Sequence, residues 1–343
     1  MELGDRKKRI LSSIVKYYIA TGEPMGSKLL AKETGMGLSS ATLRNEMSEL
    51  TEMGYLEQPH TSAGRVPTEL GYRVYVDSLM EAYPLQLEEK ARIDRVLRFM
   101  GSDLEKMIQK SGEALASITG CATVTVAPAD NGAELRRIEL VPAGRRSLLV
   151  VMLTSAGLVK NRFYRVEDDL TAEMLTFFHR LVNESLCGRA LREITPELCK
   201  QLEGELYEYT FALRPVLRGI FRDASSLTDS EVFLGGEANL LARPEIGSDR
   251  AADILQCLAH PEELAKLLID SREGVWVRIG SELGSPMMSQ SSVIAAPFLV
   301  RGMDGGAIGI IGPIRMHYSR LMSHIDYFAK ALSSLIHDTF EDG

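Results

Sequence analysis

Five residues at the start of one helical pattern carry groups suited to gripping DNA: Ser39, Ser40, Thr42, Arg44 and Asn45. An arginine fork matches the two acceptors of guanine, an asparagine amide matches adenine, and small hydroxyls pair with phosphate oxygens. All five lie in SSATLRNEMSELTEM, where Leu43, Met47 and Leu50 recur at i, i+4 and i+7. That apolar stripe predicts a helix with its other face free, and Ser39 or Ser40 is placed to cap it. A solvated helix face behind an ordinary serine cap accounts for the same residues equally well. Glu46, Glu49 and Glu52 favour that alternative for the later turns, because carboxylates repel phosphate. Only the first turns are expected to approach DNA.

A second group surrounds a small turn at Ala63-Gly64: His60, Ser62 and Arg65. An arginine on a hairpin reaches the adjacent minor groove or phosphates. The structural alternatives are an ion pair from Arg65 back to Glu57 and a turn-stabilising hydrogen bond from His60. Arg44 and Asn45 are expected to read bases, while Lys28 and Arg65 position the protein on the backbone. Catalytic readings are weaker. Gly306, Gly309 and Gly312 lie inside an apolar strand-like run with no following helix, which suits close packing or a sheet bend rather than a phosphate loop. The six histidines form no metal-binding spacing. Ser319, Ser323, His324 and Asp326 crowd together without a nucleophile elbow, so a polar helix face is expected. The cysteines, Cys121, Cys187, Cys199 and Cys257, suggest neither zinc nor disulfides. No cofactor or metal is expected, and Trp276 reads as core.

The elements around the first group repeat a known order. Asp5 to Ala20 has helical spacing, and SKLLAKET makes a short second helix with Ser27 as its expected cap and Gly35 at its end. The helix bearing Arg44 follows, then two strand-like pieces in YLEQPHTSAGRVPT. Three helices and a hairpin are the winged-helix order, with the second and third helices as the helix-turn-helix. A further helix, ELGYRVYVDSLMEAY, comes next. Beyond it the pattern is helical to about Thr119, with a break at Gly101-Ser102. An alternating strand, CATVTVAPA, and a meander of RRIELV, SLLVVML and VKNRFYRV follow. Helices run to about Thr228, then comes the strand EVFLGG and helix from Asp249 to Ile269. The chain closes with three strand-like runs and a helix from about Tyr318.

With 343 residues, 45% hydrophobic and 25% charged, the chain suits two or three folded domains. No apolar run approaches the ~20 residues of a membrane span. MELGDRKKRI leads into an amphipathic helix rather than a signal core, so a cytoplasmic protein without membrane attachment is expected. Of the net charge of −8, residues 1–75 contribute +1 and the remainder −9. Such a head attracts phosphate weakly, so useful affinity must come from specific contacts and two linked half-sites.

The runs ATLRNEM, QPHTSAGRVPT and GYRVYV closely resemble the N-terminal signature of the HrcA family of heat-shock repressors. The likeness continues, more weakly, in VFLGGEANLL and GGAIGIIGP. It implies an α+β protein: an N-terminal winged helix-turn-helix and a GAF-like α/β domain holding an inserted three-stranded antiparallel sheet plus helices. The expected division is 1–84 for the winged helix and 85–133 for a linker helix and the first part of the GAF-like domain. The inserted dimerisation domain takes 134–230, and the rest of the GAF-like domain 231–343. The resemblance also implies a homodimer on double-stranded DNA at an inverted-repeat operator (the CIRCE element), and the chaperonin GroEL as a partner that keeps the repressor active. Within the insert, Leu175, Phe177, Phe178, Leu181 and Val182 cover more than one side of a helix; they serve a dimer surface or the insert's own core. Two rivals stand beside this reading: a regulator whose GAF-like domain binds a metabolite, and an enzyme with a DNA-binding head, which lacks its nucleotide loop here.

Overall fold

The computed structural model describes residues 3–60, 63–101, 103–127, 133–155, 157, 159–206, 208–227, 231–241, 248–269, 274–300 and 303–340. The helices are α1 (Asp5–Thr21), α2 (Ser27–Thr34), α3 (Ser40–Glu52), α4 (Glu69–Val74), α5 (Leu87–Arg98), α6 (Leu104–Thr119) and α7 (Ala172–Leu186). After them come α8 (Pro196–Glu205), α9 (Arg214–Ser226), α10 (Ala238–Leu241), α11 (Ser248–Leu258), α12 (Pro261–Leu268) and α13 (Tyr318–Phe340). The strands are β1 (Leu56–Glu57), β2 (Val66–Pro67), β3 (Ala122–Val126), β4 (Leu135–Gly144) and β5 (Ser147–Thr154). The remaining strands are β6 (Val159–Arg165), β7 (Val232–Gly235), β8 (Trp276–Ile279), β9 (Ser291–Val300) and β10 (Met303–Pro313). Mixed helix and sheet place the chain in the α+β class. No helix among the described residues is long and apolar enough to cross a membrane.

Contacts gather residues 1–101, 107–126 and 232–343 into one compact unit, and residues 102–106 and 127–231 into another. In the first unit, β7-β3-β10-β9-β8 form an antiparallel sheet. Val293, Ala295, Ala307 and Ile311 cluster on one face with Ile254, Leu258, Leu264 and Leu268 of α11 and α12. Ile308 and Ile310 alternate to the other face, and α13 lies along β9 and β10. All five residues of β3 are buried, although its sequence predicts alternation. The strand sits inside a sheet covered on both faces, where no side remains for solvent. Trp276 is buried, as expected of core.

Other local readings need correction. Ser27 does not cap α2: it is the first helical residue, and Gly26 holds the cap position. The helix expected across Asp249–Ile269 breaks at His260, because Pro261 opens α12 and excludes helical backbone before it. The helix expected to reach Tyr83 stops earlier, α4 widening into a π turn at Tyr75–Leu79.

In the second unit β4, β5 and β6 form an antiparallel meander. Residues of β5 alternate between buried and half-buried. Leu148, Val150 and Met152 enter a core with Phe178, Leu181 and Val182 of α7 and Val216, Leu217 and Ile220 of α9. Leu175 and Phe177 are partly buried against the same core, so the apolar residues of α7 serve the insert itself. Asn183 ties α7 to β4, accepting from Ile138 N at 3.1 Å and donating to Ile138 O at 2.8 Å. On the opposite sheet face Val141, Val159 and Phe163 are exposed, Phe163 by 69%. Val141, Leu149 and Phe163 stand in one cross-strand row.

Candidate nucleic-acid interface

The third helix is built as its sequence demands. Ser39 caps it, its Oγ accepting from Thr42 N at 3.1 Å and lying 3.0 Å from Thr42 Oγ1. This satisfies one of the free N–H groups that every helix start presents. Leu43, Met47 and Leu50 are buried. Rotated away from that stripe, Arg44 and Asn45 are exposed, with no partner among the described residues. Ser40 and Thr42 are half-buried beside them. Lys28, on the first turn of α2, is likewise exposed and unpaired among the described residues.

Two of the carboxylates farther along α3, Glu46 and Glu49, are paired with the first helix. Lys7 Nζ lies 3.0 Å from Glu46 Oε2 and 2.7 Å from Glu49 Oε2, and Arg6 Nη1 lies 3.2 Å from Glu46 Oε1. Lys7 first, then Arg6, holds the Glu46 carboxyl below its ordinary range against the opposing effect of burial. The repulsion expected from these glutamates is therefore offset within the head. Sequence reasoning missed this partnership. The basic run at Arg6–Arg9 was visible, but only the packing of α1 on α3 brings it to Glu46.

The hairpin after α3 is held at its base. β1 and β2 pair Leu56 with Pro67 and Glu57 with Val66. Arg65 N donates to Met25 O at 2.9 Å, and Met25 N donates back to Arg65 O at 3.0 Å. Gly64 makes this bridge possible: a Cβ there would lie 2.4 Å from the Met25 carbonyl carbon and oxygen. Arg65 is half-buried, its Nε donating to Thr51 Oγ1 at 3.0 Å. The ion pair with Glu57 considered from sequence is not formed; Arg65 turns toward the last turn of α3 instead. His60 is exposed, and it is its carbonyl, not its ring, that closes the turn by accepting from Ala63 N at 2.9 Å. Gln58, unnoticed in the sequence, braces the same turn through Nε2 to Ala63 O at 3.0 Å. Ser62 lies outside the described residues.

The features that suggested chemistry elsewhere resolve into packing. A Cβ on Gly306, Gly309 or Gly312 would meet Val126 O at 2.3 Å, Leu268 Cδ2 at 2.7 Å or Met316 Sδ at 2.5 Å. Ser323 donates to Tyr83 O at 2.8 Å, and Asp326 pairs with Lys330 at 2.7 Å. His324 is buried rather than on a polar surface, its Nδ1 2.7 Å from Arg320 O. No serine–histidine pair forms there among the described residues. None of the four cysteines is in a disulfide, and burial raises the thiols of Cys187, Cys199 and Cys257.

A family model described as the HrcA protein C-terminal domain matches residues 105–322. The heat-inducible transcription repressor HrcA of Pelotomaculum thermopropionicum is 36% identical, over 98% of this chain and 97% of its own. The chain belongs to the HrcA family. The repressor of the same description from Acetivibrio thermocellus is also 36% identical, over 95% of this chain and 94% of its own. Among solved structures, the crystal structure of a hypothetical protein superposes with a TM-score of 0.66 at 24% identity, covering 98% of this chain and 100% of that one. That likeness concerns the fold. Both relatives are described as heat-inducible transcription repressors.

Proposed function

We propose that the protein is a cytoplasmic transcriptional repressor of heat-shock chaperone operons, binding an inverted-repeat operator of the CIRCE type as a homodimer. The head acts as a winged helix-turn-helix, α3 entering the major groove and the β1–β2 hairpin serving as the wing. The observation that carries this reading is the exposure of Arg44 and Asn45, unpaired among the described residues, on the first turns of a helix whose opposite stripe is buried. Lys28, Ser39, Ser40, Thr42, His60, Ser62 and Arg65 are the backbone and wing contacts in this reading. The Ser39 and Thr42 hydroxyls are already engaged with each other, so their contribution is to orient the helix start. The five-stranded sheet with its helices is read as GAF-like. Repression follows from occupancy and requires no catalysis. GroEL is the partner proposed to bring the repressor to its active form.

The insert, residues 134–230, supplies the dimer contact in this reading. Support comes from the outer face of its sheet, where Val141, Val159 and Phe163 are exposed while the inner face is filled. An inverted repeat calls for a two-fold protein, and linking two weakly charged heads raises affinity without new contacts.

The test of sequence readout is Arg44→Ala, measured by fluorescence anisotropy on a CIRCE duplex and on a scrambled duplex of equal length. A bidentate base contact is worth about 1–3 kcal/mol of discrimination. Affinity for the CIRCE duplex should fall by roughly that amount, with scrambled-duplex binding little changed. Equal affinity of variant and wild type for the CIRCE duplex would refute the assignment.

A further inference from the structure

The run GYRVYV contributes none of the candidate DNA contacts, yet its Arg73 bonds to Asp77, Glu282 and Val277. Gly71 packs so closely that a Cβ would lie 2.2 Å from Tyr55 O, which fastens α4 to the base of the hairpin. Tyr72 is buried with its ring centroid 5.9 Å from that of Tyr318, and Tyr318 is itself bonded to Ser292 at 2.8 Å. Arg73 then reaches into the five-stranded sheet. Its Nε donates to Glu282 Oε1 at 2.8 Å and its Nη2 to Val277 O at 2.9 Å, while Nη2 also meets Glu282 Oε2. One turn earlier on α4, Glu69 Oε2 accepts from Ser281 N at 3.0 Å and Ser281 Oγ at 2.7 Å.

Two charged side chains, four residues apart on one helix face, thus grip residues 277–282 at separate points. A single contact leaves a helix free to pivot; two along its axis remove that rotation. The arginine–carboxylate fork adds a fixed plane that a lysine would not supply. Glu282 is braced in turn by the Ile279 N–H at 2.9 Å. Far from this joint, Arg315 Nη1 donates to Ile19 O at 3.0 Å, where α1 ends.

We propose that Glu69, Arg73 and Glu282 are positioning residues for operator recognition: they hold the head at one angle to the five-stranded sheet and thereby set the half-site spacing that the dimer accepts. This rests on the DNA-binding reading above. None of the three touches DNA in it; they act through the placement of α3.

The experiment compares the full-length wild type with Glu69→Gln/Arg73→Gln on three duplexes. One carries the CIRCE repeat, one the repeat with about half a helical turn (~5 bp) added between half-sites, and one a single half-site. The wild type should prefer the natural spacing by at least about tenfold. In the variant that preference should narrow to about threefold or less, with half-site affinity within about twofold of wild type. Glu282→Gln, which cuts the same clamp from the sheet side, should narrow it likewise. A variant that keeps the wild-type spacing preference overturns the proposal. So does a loss of half-site affinity in step with the full repeat, which would indicate only a damaged head. Should the wild type bind none of these duplexes, the DNA-binding reading falls and takes the spacing role with it. Hydrogen exchange then judges the clamp alone: faster exchange in α4 and residues 276–283 of the variant supports it, and unchanged exchange refutes it.

Discussion

Gly64→Ala offers the sharpest test of how the hairpin is anchored. The added methyl would lie 2.4 Å from the Met25 carbonyl and 2.7 Å from Gly26 N, both backbone and unable to swing aside. Two responses are open to the protein. It can keep the Met25–Arg65 bridge and accept the overpacking, at about 1–3 kcal/mol. Alternatively it can part the strands and lose two backbone hydrogen bonds of 2.9 and 3.0 Å, worth about 0.5–1.5 kcal/mol each. The cheaper route governs, so the bridge should weaken by about 2 kcal/mol, equivalent to roughly a 30-fold shift in its opening equilibrium. Amide hydrogen exchange at Met25 and Arg65 reads this directly, since both donate only into the bridge. Protection there should fall about 30-fold while Leu43, Met47 and Leu50 in the core of α3 keep theirs. Gly26→Ala is the control: its Cβ would meet nothing within 4 Å and its φ is −88°, so the bridge should persist. Operator affinity should drop in Gly64→Ala and hold in Gly26→Ala. Wild-type protection at Met25 and Arg65 in Gly64→Ala would show that the close approach does not anchor the hairpin.

Three further outcomes are expected. Glu46, Glu89, Glu203 and Glu282 all have carboxyl pKa values lowered below the usual 4.5, so their contribution to stability is complete above that value and fades as pH falls through the lower, folded-state values. Urea midpoints should be flat from about pH 6 to 8 and decline below about pH 4.5; a rise on acidification would contradict this sign. Asp223 is buried, accepts from the Tyr164 hydroxyl, and lies 2.9 Å from Arg162 Nε, so Asp223→Asn should destabilise the second unit by about 1–3 kcal/mol. Unchanged urea unfolding of that variant would remove Asp223 as the link between β6 and α9. Phe163→Glu, at a 69% exposed position, should leave the fold intact yet yield a monomer by light scattering with weaker repeat binding, by up to about 10²–10⁴. A persistent dimer would move the interface away from this sheet face.

The local rules written into the chain decided a great deal on their own. Ser39 before Leu43, Met47 and Leu50 specified where α3 starts and which side it buries, because capping and a 3.6-residue period act within a few residues. The meander of β4 to β6 followed from alternation and short turns in the same way. Other positions answered to partners far away in sequence. Ser27 was displaced from the cap, Arg65 chose Thr51 over Glu57, and Glu46 was neutralised by a helix forty residues earlier. Phe178 and its neighbours on α7 looked equally suited to two surfaces, and only the packed sheet beneath them shows that they fill the insert's core. The role of GYRVYV was the least legible of all, since Arg73 meets Glu282 across 209 residues. Periodicity and capping are short-range and leave a pattern in neighbouring letters. An ion pair or a glycine's close approach has no such period, and its partner is fixed only when the chain has folded back on itself.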